Sequence, residues 1–280
     1  MTVYLNGNFT LVEKAKLSPF DRGFLFADGV YEGIRTYNSK LFRYDDHIKR
    51  LIKSLNEIKM KFIDTIKLEG IIYQLIKKND IKDSAVIYLQ ITRGTQFPRK
   101  HSFPHESTGP NIFITAQNLN ENKEQLINGV KVITDVDNRW MRCDIKSISL
   151  LPAVLANQKA VEAGAIEAIL IRNGMITEGT NTNFFAVKNN CLYTAPESNL
   201  ILSGITRKVV LELSKKLDIE IKEDFINTED LRSFDEFFIT STTKEITPVV
   251  QINNLVVNAR KPGILTTKLQ EAFRKLTNQY

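Results

Sequence analysis

Apolar and polar residues recur with two different periods along this chain, and each period predicts one kind of element. Between residues 45 and 60 the apolar residues follow the three-to-four spacing of a helix that buries one face. Asp45 or Asp46 stands where a helix N-cap is expected. Between residues 30 and 37 the alternation has the period of a strand, so Tyr31 and Glu32 belong to opposite faces. The sequence therefore predicts a strand at 30–37 followed by a helix at 45–60.

Asn-Gly or Asn-Asn dipeptides separate several pairs of short apolar segments. This arrangement is typical of β-hairpins, because Asn and Gly adopt the positive φ values that a tight turn needs. Hairpins are predicted at 3–11, 167–177 and 183–194. Further helices are predicted at 66–78, 153–163, 204–217 and 265–276, and further strands at 85–92, 111–116, 129–134 and 236–240.

The order of these elements predicts an α+β protein of two domains. The first half mixes sheet and helix, whereas the second half is richer in short strands, as in a barrel-like sheet with flanking helices. A polar stretch at 117–125 is the best candidate for a linker. We therefore expect a smaller N-terminal α/β domain at 1–119 and a C-terminal pseudo-β-barrel domain at 120–280, which suits a chain of 280 residues.

Composition and charge point to an ordinary soluble globular protein. The hydrophobic fraction is 42% and the charged fraction is 25%. The net charge of +6 is spread among 32 acidic residues without a basic stripe, so we expect no nucleic-acid partner. No apolar run is long enough to span a membrane and no signal-peptide pattern is present, so we expect a cytoplasmic protein. Cys143 and Cys191 show neither metal-binding spacing nor a disulfide framework.

Lys146 is the most informative single residue, because it stands in an apolar setting. Ile145 and Ile148 flank it closely, and Leu150 and Leu151 follow. Burying an unpaired ammonium is costly and usually lowers the lysine pKa. A neutral amine is the form that attacks a carbonyl, so such a lysine suits Schiff-base chemistry. The alternative from this window alone is a surface lysine at the end of a strand.

Several motifs together resemble those of class IV pyridoxal-phosphate aminotransferases, enzymes of fold type IV. They are R-W-M-R-C-D-I-K-S at 139–147, T-E-G-T-N-T-N-F-F at 177–185, L-S-G-I-T-R at 202–207 and T-S-T-T-K-E-I-T-P at 240–248. The loop sequence P-R-K-H-S-F-P at 98–104 is similar to that of the D-amino-acid transaminase branch. The resemblance covers nearly the whole chain in order.

The resemblance implies pyridoxal 5'-phosphate as the cofactor and assigns residues to it. Lys146 would form the Schiff base and also move the proton between substrate and cofactor. Glu178 would face the pyridine nitrogen, and Leu202 would pack on the ring. The cofactor phosphate would be bound by residues that offer N–H groups, hydroxyls or a guanidinium, namely Arg50, Ile205, Thr206, Ser241 and Thr242.

Simpler interpretations of these residues stay open from the sequence. Arg50 lies off the apolar stripe of its helix, and without the resemblance the sequence favours a solvated arginine. Glu178 precedes Gly179, and without the resemblance the sequence favours an exposed strand end. The turn before Ile205 has the composition of an ordinary helix cap. Asn181 stands beside the cofactor where the D-amino-acid branch commonly has serine.

Substrate recognition is implied by a second set of residues. Tyr31, Arg99 and His101 match the carboxylate trap of the D-amino-acid branch, in which the arginine and the histidine come from the partner subunit. The resemblance therefore implies a homodimer that acts on small amino acids and 2-oxo acids. A basic, solvated loop is the alternative for Arg99 and His101.

The expected reaction is a ping-pong amino transfer from D-alanine to 2-oxoglutarate, which gives pyruvate and D-glutamate. Two features leave other class IV substrates open. The segment 93–99 is one residue longer than the family pattern, and Gly33-Ile34-Arg35 resembles branched-chain aminotransferases. The alternatives are a branched-chain L-amino-acid transaminase, an (R)-amine transaminase, an aminodeoxychorismate lyase, or a binding protein that kept the fold without catalysis.

Overall fold

The protein is described by a computed structural model that covers residues 1–60, 65–120 and 122–280. Its backbone forms two compact units. The first comprises Met1–Asn120, Ile145–Ser149 and Tyr280, and the second comprises Glu121–Asp144 and Leu150–Gln279. The domain limits 1–119 and 120–280 stay a prediction.

The first unit is built on a six-stranded antiparallel sheet with the strand order β2-β1-β6-β5-β3-β4. Its strands are β1 (Thr2–Leu5), β2 (Asn8–Leu11), β3 (Gly29–Tyr37), β4 (Lys40–Leu41), β5 (Ala85–Thr92) and β6 (Asn111–Asn118). Its helices are α1 (Arg22–Phe26), α2 (Tyr44–Glu57) and α3 (Ile66–Lys78), and a short 3-10 helix spans Val12–Lys14.

Helix α2 begins differently from the prediction. Its N-cap is Arg43, which has a left-handed φ of 51° and provides no side-chain cap. The predicted cap by Asp45 or Asp46 is wrong, because both aspartates lie inside the first turn. Carboxylates at that position still interact favourably with the positive end of the helix dipole. The apolar side of α2 buries Leu51 and Leu55 against the sheet core.

The second unit contains a ten-stranded mixed sheet with the order β12-β11-β10-β14-β15-β7-β8-β9-β13, and β16 pairs with β15. Its strands are β7 (Val130–Val136), β8 (Glu167–Arg172), β9 (Met175–Gly179), β10 (Asn183–Lys188), β11 (Cys191–Thr194), β12 (Ile221–Glu223), β13 (Ile226–Asn227), β14 (Glu236–Ser241), β15 (Glu245–Ile252) and β16 (Leu255–Val256). Its helices are α4 (Lys123–Asn128), α5 (Leu151–Glu162), α6 (Ile205–Lys216) and α7 (Ile264–Thr277), with 3-10 helices at Thr228–Ser233 and Asn258–Arg260.

The three predicted hairpins are confirmed as β1–β2, β8–β9 and β10–β11. The first turn has the expected positive φ values, 47° at Asn6 and 93° at Gly7. Strand β15 was not predicted, although it pairs with both β14 and β7. Pro248 interrupts its apolar pattern, and proline argues against a central strand because it lacks an N–H group. In the structure Pro248 comes just before Val249, the first residue of β15 that pairs with β7.

Aromatic pairs fill much of the core of the second unit. Phe184 stacks on Phe237 with ring centroids 5.6 Å apart, and Phe185 stacks on Phe238 at 4.7 Å. Both cysteines are free thiols in buried positions. Within the described ranges, no helix combines the length and the apolar character needed to cross a bilayer.

Candidate active site

The backbone of Lys146 is held by β3 and α2. Its carbonyl accepts a hydrogen bond from the Tyr31 N–H at 3.0 Å, and its own N–H donates to the Ser54 Oγ at 3.2 Å. The side chain is half-buried, and its Nζ lies 4.2 Å from the centroid of the Tyr31 ring. The structure therefore brings the predicted lysine and the predicted tyrosine together, with the amine against an aromatic face.

Glu32 forms a buried ionic cluster on the other face of β3. Its carboxylate accepts hydrogen bonds from Arg50 Nε and Nη2, each at 2.8 Å, and lies 2.8 Å from His47 Nδ1. Burial alone would raise the pKa of Glu32, but the charges and hydrogen bonds of Arg50 and His47 hold it well below its usual range. Burial lowers the pKa of His47, while Glu32 opposes part of that shift.

This cluster decides between two interpretations of Arg50. The residue is only 9% exposed, so the alternative of a solvated arginine is wrong. The bidentate contact with Glu32 fixes the plane of the Arg50 guanidinium. A flexible arginine at the surface would lack such a fixed orientation. Binding of the cofactor phosphate by Arg50 stays a prediction.

Arg99 and His101 lie on the exposed loop that follows β5. The Arg99 Cζ is 4.3 Å from the centroid of the Phe26 ring, and the His101 ring is 5.2 Å from the same ring. The structure therefore brings these two residues to one aromatic side chain. Across the described part of the chain, neither forms a hydrogen bond or ring contact with Tyr31, the third residue of the predicted trap.

In the second unit, Glu178 is a buried carboxylate with several donors. Its Oε1 accepts from Arg139 Nη1 at 2.5 Å, and its Oε2 accepts from Asn183 Nδ2 and the Leu202 N–H, both at 3.0 Å. The exposed-glutamate alternative is wrong, since the residue is 4% exposed. Burial raises the pKa of Glu178 to about 7, and the Arg139 charge and the Leu202 amide limit that rise.

Arg139 is itself fixed by Asp137. Its Nε and Nη2 each donate to the Asp137 carboxylate at 2.9 Å. Asp137 also accepts a hydrogen bond from the Thr177 hydroxyl at 2.9 Å, and its carboxylate lies 3.1 Å from Arg172 Nη2. Charges of opposite sign thus alternate from Arg172 through Asp137 and Arg139 to Glu178. Such pairing offsets the free-energy cost of removing these charged groups from water.

The N-terminus of α6 is the candidate anion site of the second unit. Its N-cap residue, Gly204, has no side chain that could accept a hydrogen bond. The first-turn N–H groups of Ile205 and Thr206 are therefore not capped by the N-cap side chain. A Cβ at Gly204 would lie 2.0 Å from Asn183 Oδ1, so only glycine permits this approach. Asn183 also pairs with Thr240 in the sheet, and Thr240 directly precedes Ser241.

Asn181 lies between β9 and β10, whereas Ser241 ends β14 and Thr242 begins the turn that follows it. Lys244 links these two segments. The Asn181 Oδ1 accepts from Lys244 Nζ at 3.0 Å, and the Ser241 Oγ accepts from the Lys244 N–H at 3.1 Å. Lys244 Nζ also lies 3.5 Å from the fully buried Glu167. Asn181 is exposed, whereas Ser241 and Thr242 are half-buried.

The supporting residues Asp137, Arg139, Asn183 and Lys244 were not predicted from the sequence. Arg139 and Lys244 lie inside the motifs at 139–147 and 240–248, so their position was a usable signal. Their partners could not be inferred, because Arg139 meets Glu178 across 39 residues of sequence and Lys244 meets Asn181 across 63.

A family model described as amino-transferase class IV matches residues 29–252. The chain therefore belongs to this family, which uses pyridoxal 5'-phosphate, and the protein is an aminotransferase. The resemblance inferred from the motifs is confirmed, as is the α+β, fold-type IV class.

Individual members of this family are similar to the chain over almost its whole length. The chain is 43% identical over 274 residues to the D-alanine aminotransferase of Staphylococcus haemolyticus, covering 98% of this chain and 96% of that protein. It is 42% identical over 275 residues to the D-alanine aminotransferase of Bacillus licheniformis, with the same coverage of 98% and 96%. Among solved structures, the Escherichia coli branched-chain amino acid aminotransferase has a TM-score of 0.91 at 28% identity, covering 99% of this chain and 94% of that one.

The donor groups on each unit fit the cofactor of this family. Pyridoxal phosphate needs an amine for its aldehyde, an acid for its ring nitrogen and donors for its phosphate. The first unit offers the half-buried Lys146 and the oriented Arg50. The second offers the buried Glu178 and the α6 N-terminus, where Gly204 removes the bulk of a side chain.

We predict that Glu32→Gln destabilises the protein by breaking the buried ion pair with Arg50. The free energy of unfolding at pH 7 should fall by about 3–5 kcal/mol, because the buried Arg50 guanidinium loses its pairing with the Glu32 carboxylate. The folded pKa of Glu32 is depressed, so its contribution is complete above the ordinary glutamate value of about 4.3 and is lost as the pH falls below it. Urea unfolding at pH 7 and at pH 3 should therefore show a deficit that shrinks in acid.

The exposed Glu13 provides the control, since Glu13→Gln removes the same charge without burial. We expect its unfolding free energy to stay within about 0.5 kcal/mol of the wild type. A deficit of Glu32→Gln that is equally large at both pH values would show that altered packing, and not the ion pair, causes it.

Proposed function

We propose that the protein transfers amino groups between D-amino acids and 2-oxo acids, with D-alanine and 2-oxoglutarate giving pyruvate and D-glutamate. The observation that carries this proposal is the identity of more than 40% to D-alanine aminotransferases along 98% of the chain. Branched-chain aminotransferases share the fold at lower identity. The reaction is ping-pong, with the donor leaving as a 2-oxo acid before the acceptor binds.

Lys146 is the proposed catalytic residue. When bound, pyridoxal phosphate supplies an aldehyde that condenses with amines and a ring that takes up electrons from the substrate Cα. Lys146 holds the cofactor at rest, and its freed Nζ then takes the proton from the substrate Cα and delivers it during transfer. The Tyr31 ring, 4.2 Å from Nζ, limits the directions in which this amine can move.

Glu178 is the proposed partner of the cofactor ring nitrogen. A pyridine nitrogen stays protonated beside a carboxylate, and the protonated ring is the stronger electron acceptor. Donors from Arg139, Asn183 and Leu202 stabilise the ionised form of Glu178 in its buried position. Leu202 packs on the ring in this proposal, and Asn181 lies at its edge.

The phosphate is the cofactor's main anionic group. We assign it to the guanidinium of Arg50, the first-turn N–H groups of Ile205 and Thr206, and the hydroxyls of Thr206, Ser241 and Thr242. A helix N-terminus favours an anion through its unpaired N–H groups and its dipole. The absence of a side-chain cap on α6 leaves those N–H groups for such a ligand.

Tyr31, Arg99 and His101 form the proposed trap for the substrate carboxylate. The trap fixes the carboxylate on one side, and Lys146 must face the Cα–H bond, so a single enantiomer satisfies both requirements. Arg99 and His101 reach the site of the partner subunit, which makes the protein a homodimer.

Exposed aromatic surface supports this dimer. Phe24 is 78% exposed, Phe97 is 75% exposed and Phe103 is 55% exposed, and Phe97 and Phe103 lie on the same loop as Arg99. Large apolar side chains that are exposed at a surface are the material of protein contact sites, and this loop supplies two of them beside Arg99.

The first test of this proposal is the reaction itself. We expect the holoenzyme to convert D-alanine and 2-oxoglutarate into pyruvate and D-glutamate, measured by chiral chromatography of the amino acids. L-alanine, L-leucine and L-valine serve as matched donors of the other hand. Turnover confined to the L-donors would reject the proposal.

Lys146→Ala should abolish transamination and covalent attachment of the cofactor. We expect activity to fall by at least about 10⁴-fold, because both the anchor and the proton carrier are lost. Attachment is read by mass spectrometry after borohydride reduction, independently of turnover. Lys123→Ala, at the exposed start of α4, is the control and should retain both properties.

Arg99→Ala should raise KM for D-alanine more than for a donor amine without a carboxylate. The lost charge-assisted hydrogen bond corresponds to about 1.5–3 kcal/mol, or roughly 10- to 150-fold in kcat/KM. Lys100→Ala removes a charge from the same loop and is the matched control. Equal effects of Arg99→Ala on both kinds of donor would remove Arg99 from the trap.

A further inference from the structure

Arg22, the first residue of α1, is almost completely buried at 3% exposure and binds the loop after β5. Its Nη1 donates to the Gln96 Oε1 at 2.7 Å and to the carbonyl oxygens of Lys100 and Ser102 at 2.7 and 3.1 Å. Its Nη2 donates to the carbonyl oxygen of His101 at 3.2 Å. One guanidinium therefore binds three consecutive carbonyl groups, and His101 is at their centre.

The guanidinium is itself anchored. Its Nε donates to Asp28 at 2.8 Å, and Arg93 donates to the same carboxylate at 2.8 Å. Although burial alone would raise it, the pKa of Asp28 is lowered by Arg93 and Arg22. Asp21 fixes the base of the loop through hydrogen bonds from Thr92, at 2.6 Å, and from Asn111, at 2.6 Å.

Phe26, at the other end of α1, contacts the side chains that the loop presents. The Arg99 Cζ lies 4.3 Å and the Arg22 Cζ lies 4.8 Å from the centroid of its ring, and the His101 ring is 5.2 Å away. Helix α1 thus contacts this segment twice, at its backbone through Arg22 and at its side chains through Phe26.

Regular structure holds only the start of this loop, through an isolated β-bridge between Thr95 and Asp21. Residues 93–110 otherwise contain no helix or strand, and Arg99, Lys100 and His101 are all exposed. Irregular exposed segments sample many conformations unless they are bound to something rigid. The buried Arg22 and its carbonyl contacts provide that restraint in the first unit.

We propose that Arg22 is a positioning residue for substrate recognition, which sets the directions of Arg99 and His101 by binding the backbone between Lys100 and Ser102. The inference rests on the proposed function, in which these two side chains bind the substrate carboxylate. Arg22 itself touches no substrate. A charge-assisted fork needs its donors within a fraction of an ångström and a few tens of degrees of the carboxylate, so a loosened loop weakens binding without altering Lys146.

The test is a double-mutant cycle on the holoenzyme. We expect Arg22→Met to raise KM for D-alanine about tenfold or more, with kcat changed much less, and Arg22→Lys to give a smaller increase. In an Arg99→Ala background, Arg22→Met should raise KM by a clearly smaller factor, since one of the two side chains that it positions is already gone. A merely structural role would give the same increase in both backgrounds.

Hydrogen exchange of the cofactor-free protein gives a readout independent of activity. Arg22→Met should accelerate amide exchange at residues 96–103, whereas Leu75→Ala, a core change in the same unit, should lower global stability without singling out this segment. Should Arg22→Met fail to fold, Phe26→Leu tests the same support from the side-chain end and should also raise KM by a larger factor when Arg99 is present than when it is absent.

Two outcomes would overturn the proposal: additive effects of Arg22→Met and Arg99→Ala on KM, or unchanged exchange at residues 96–103. Failure of the proposed function looks different, because the wild-type enzyme would then not turn over D-alanine at all.

Discussion

The pairing of the buried carboxylates Glu32 and Glu178 with arginines is the constraint on which the candidate site depends. Taking a charge out of water costs several kcal/mol, so a buried carboxylate or guanidinium needs hydrogen-bonded partners. Glu32 meets this need with Arg50 and His47, and Glu178 meets it with Arg139. In each case the partner that removes the cost also fixes the orientation of the group, which is what a binding site requires.

The fold was largely predictable from short-range patterns, and the exceptions have local causes. The strand at Ala85–Thr92 and the helix at Ile66–Lys78 were predicted with their observed bounds, because their apolar spacing is regular. Strand β15 was missed because Pro248 breaks the pattern expected of a central strand. The cap of α2 was misplaced because Arg43 adopts a left-handed conformation that no propensity favours.

The candidate site could be predicted only in part from the sequence. Lys146 and Glu178 were found through their motifs, and their roles stay predictions. The burial of Arg50 could not be predicted, because it depends on Glu32, which lies in another element. Arg22 had no signal at all, since its partners are mostly backbone carbonyls, and a carbonyl carries no sequence identity. Contacts of this kind, between residues far apart in the chain, cannot be predicted from a single sequence.

The segment Ile145–Ser149 belongs to the first compact unit, although the chain on both sides of it belongs to the second. Ser147 bridges to Val30, and the Ile148 N–H donates to the Gly29 carbonyl, so the segment completes the edge of β3. A fragment ending at residue 120 would consequently lack a piece of its own unit. The first unit is therefore discontinuous in sequence, and its sheet is complete only when the later peptide that carries Lys146 is present.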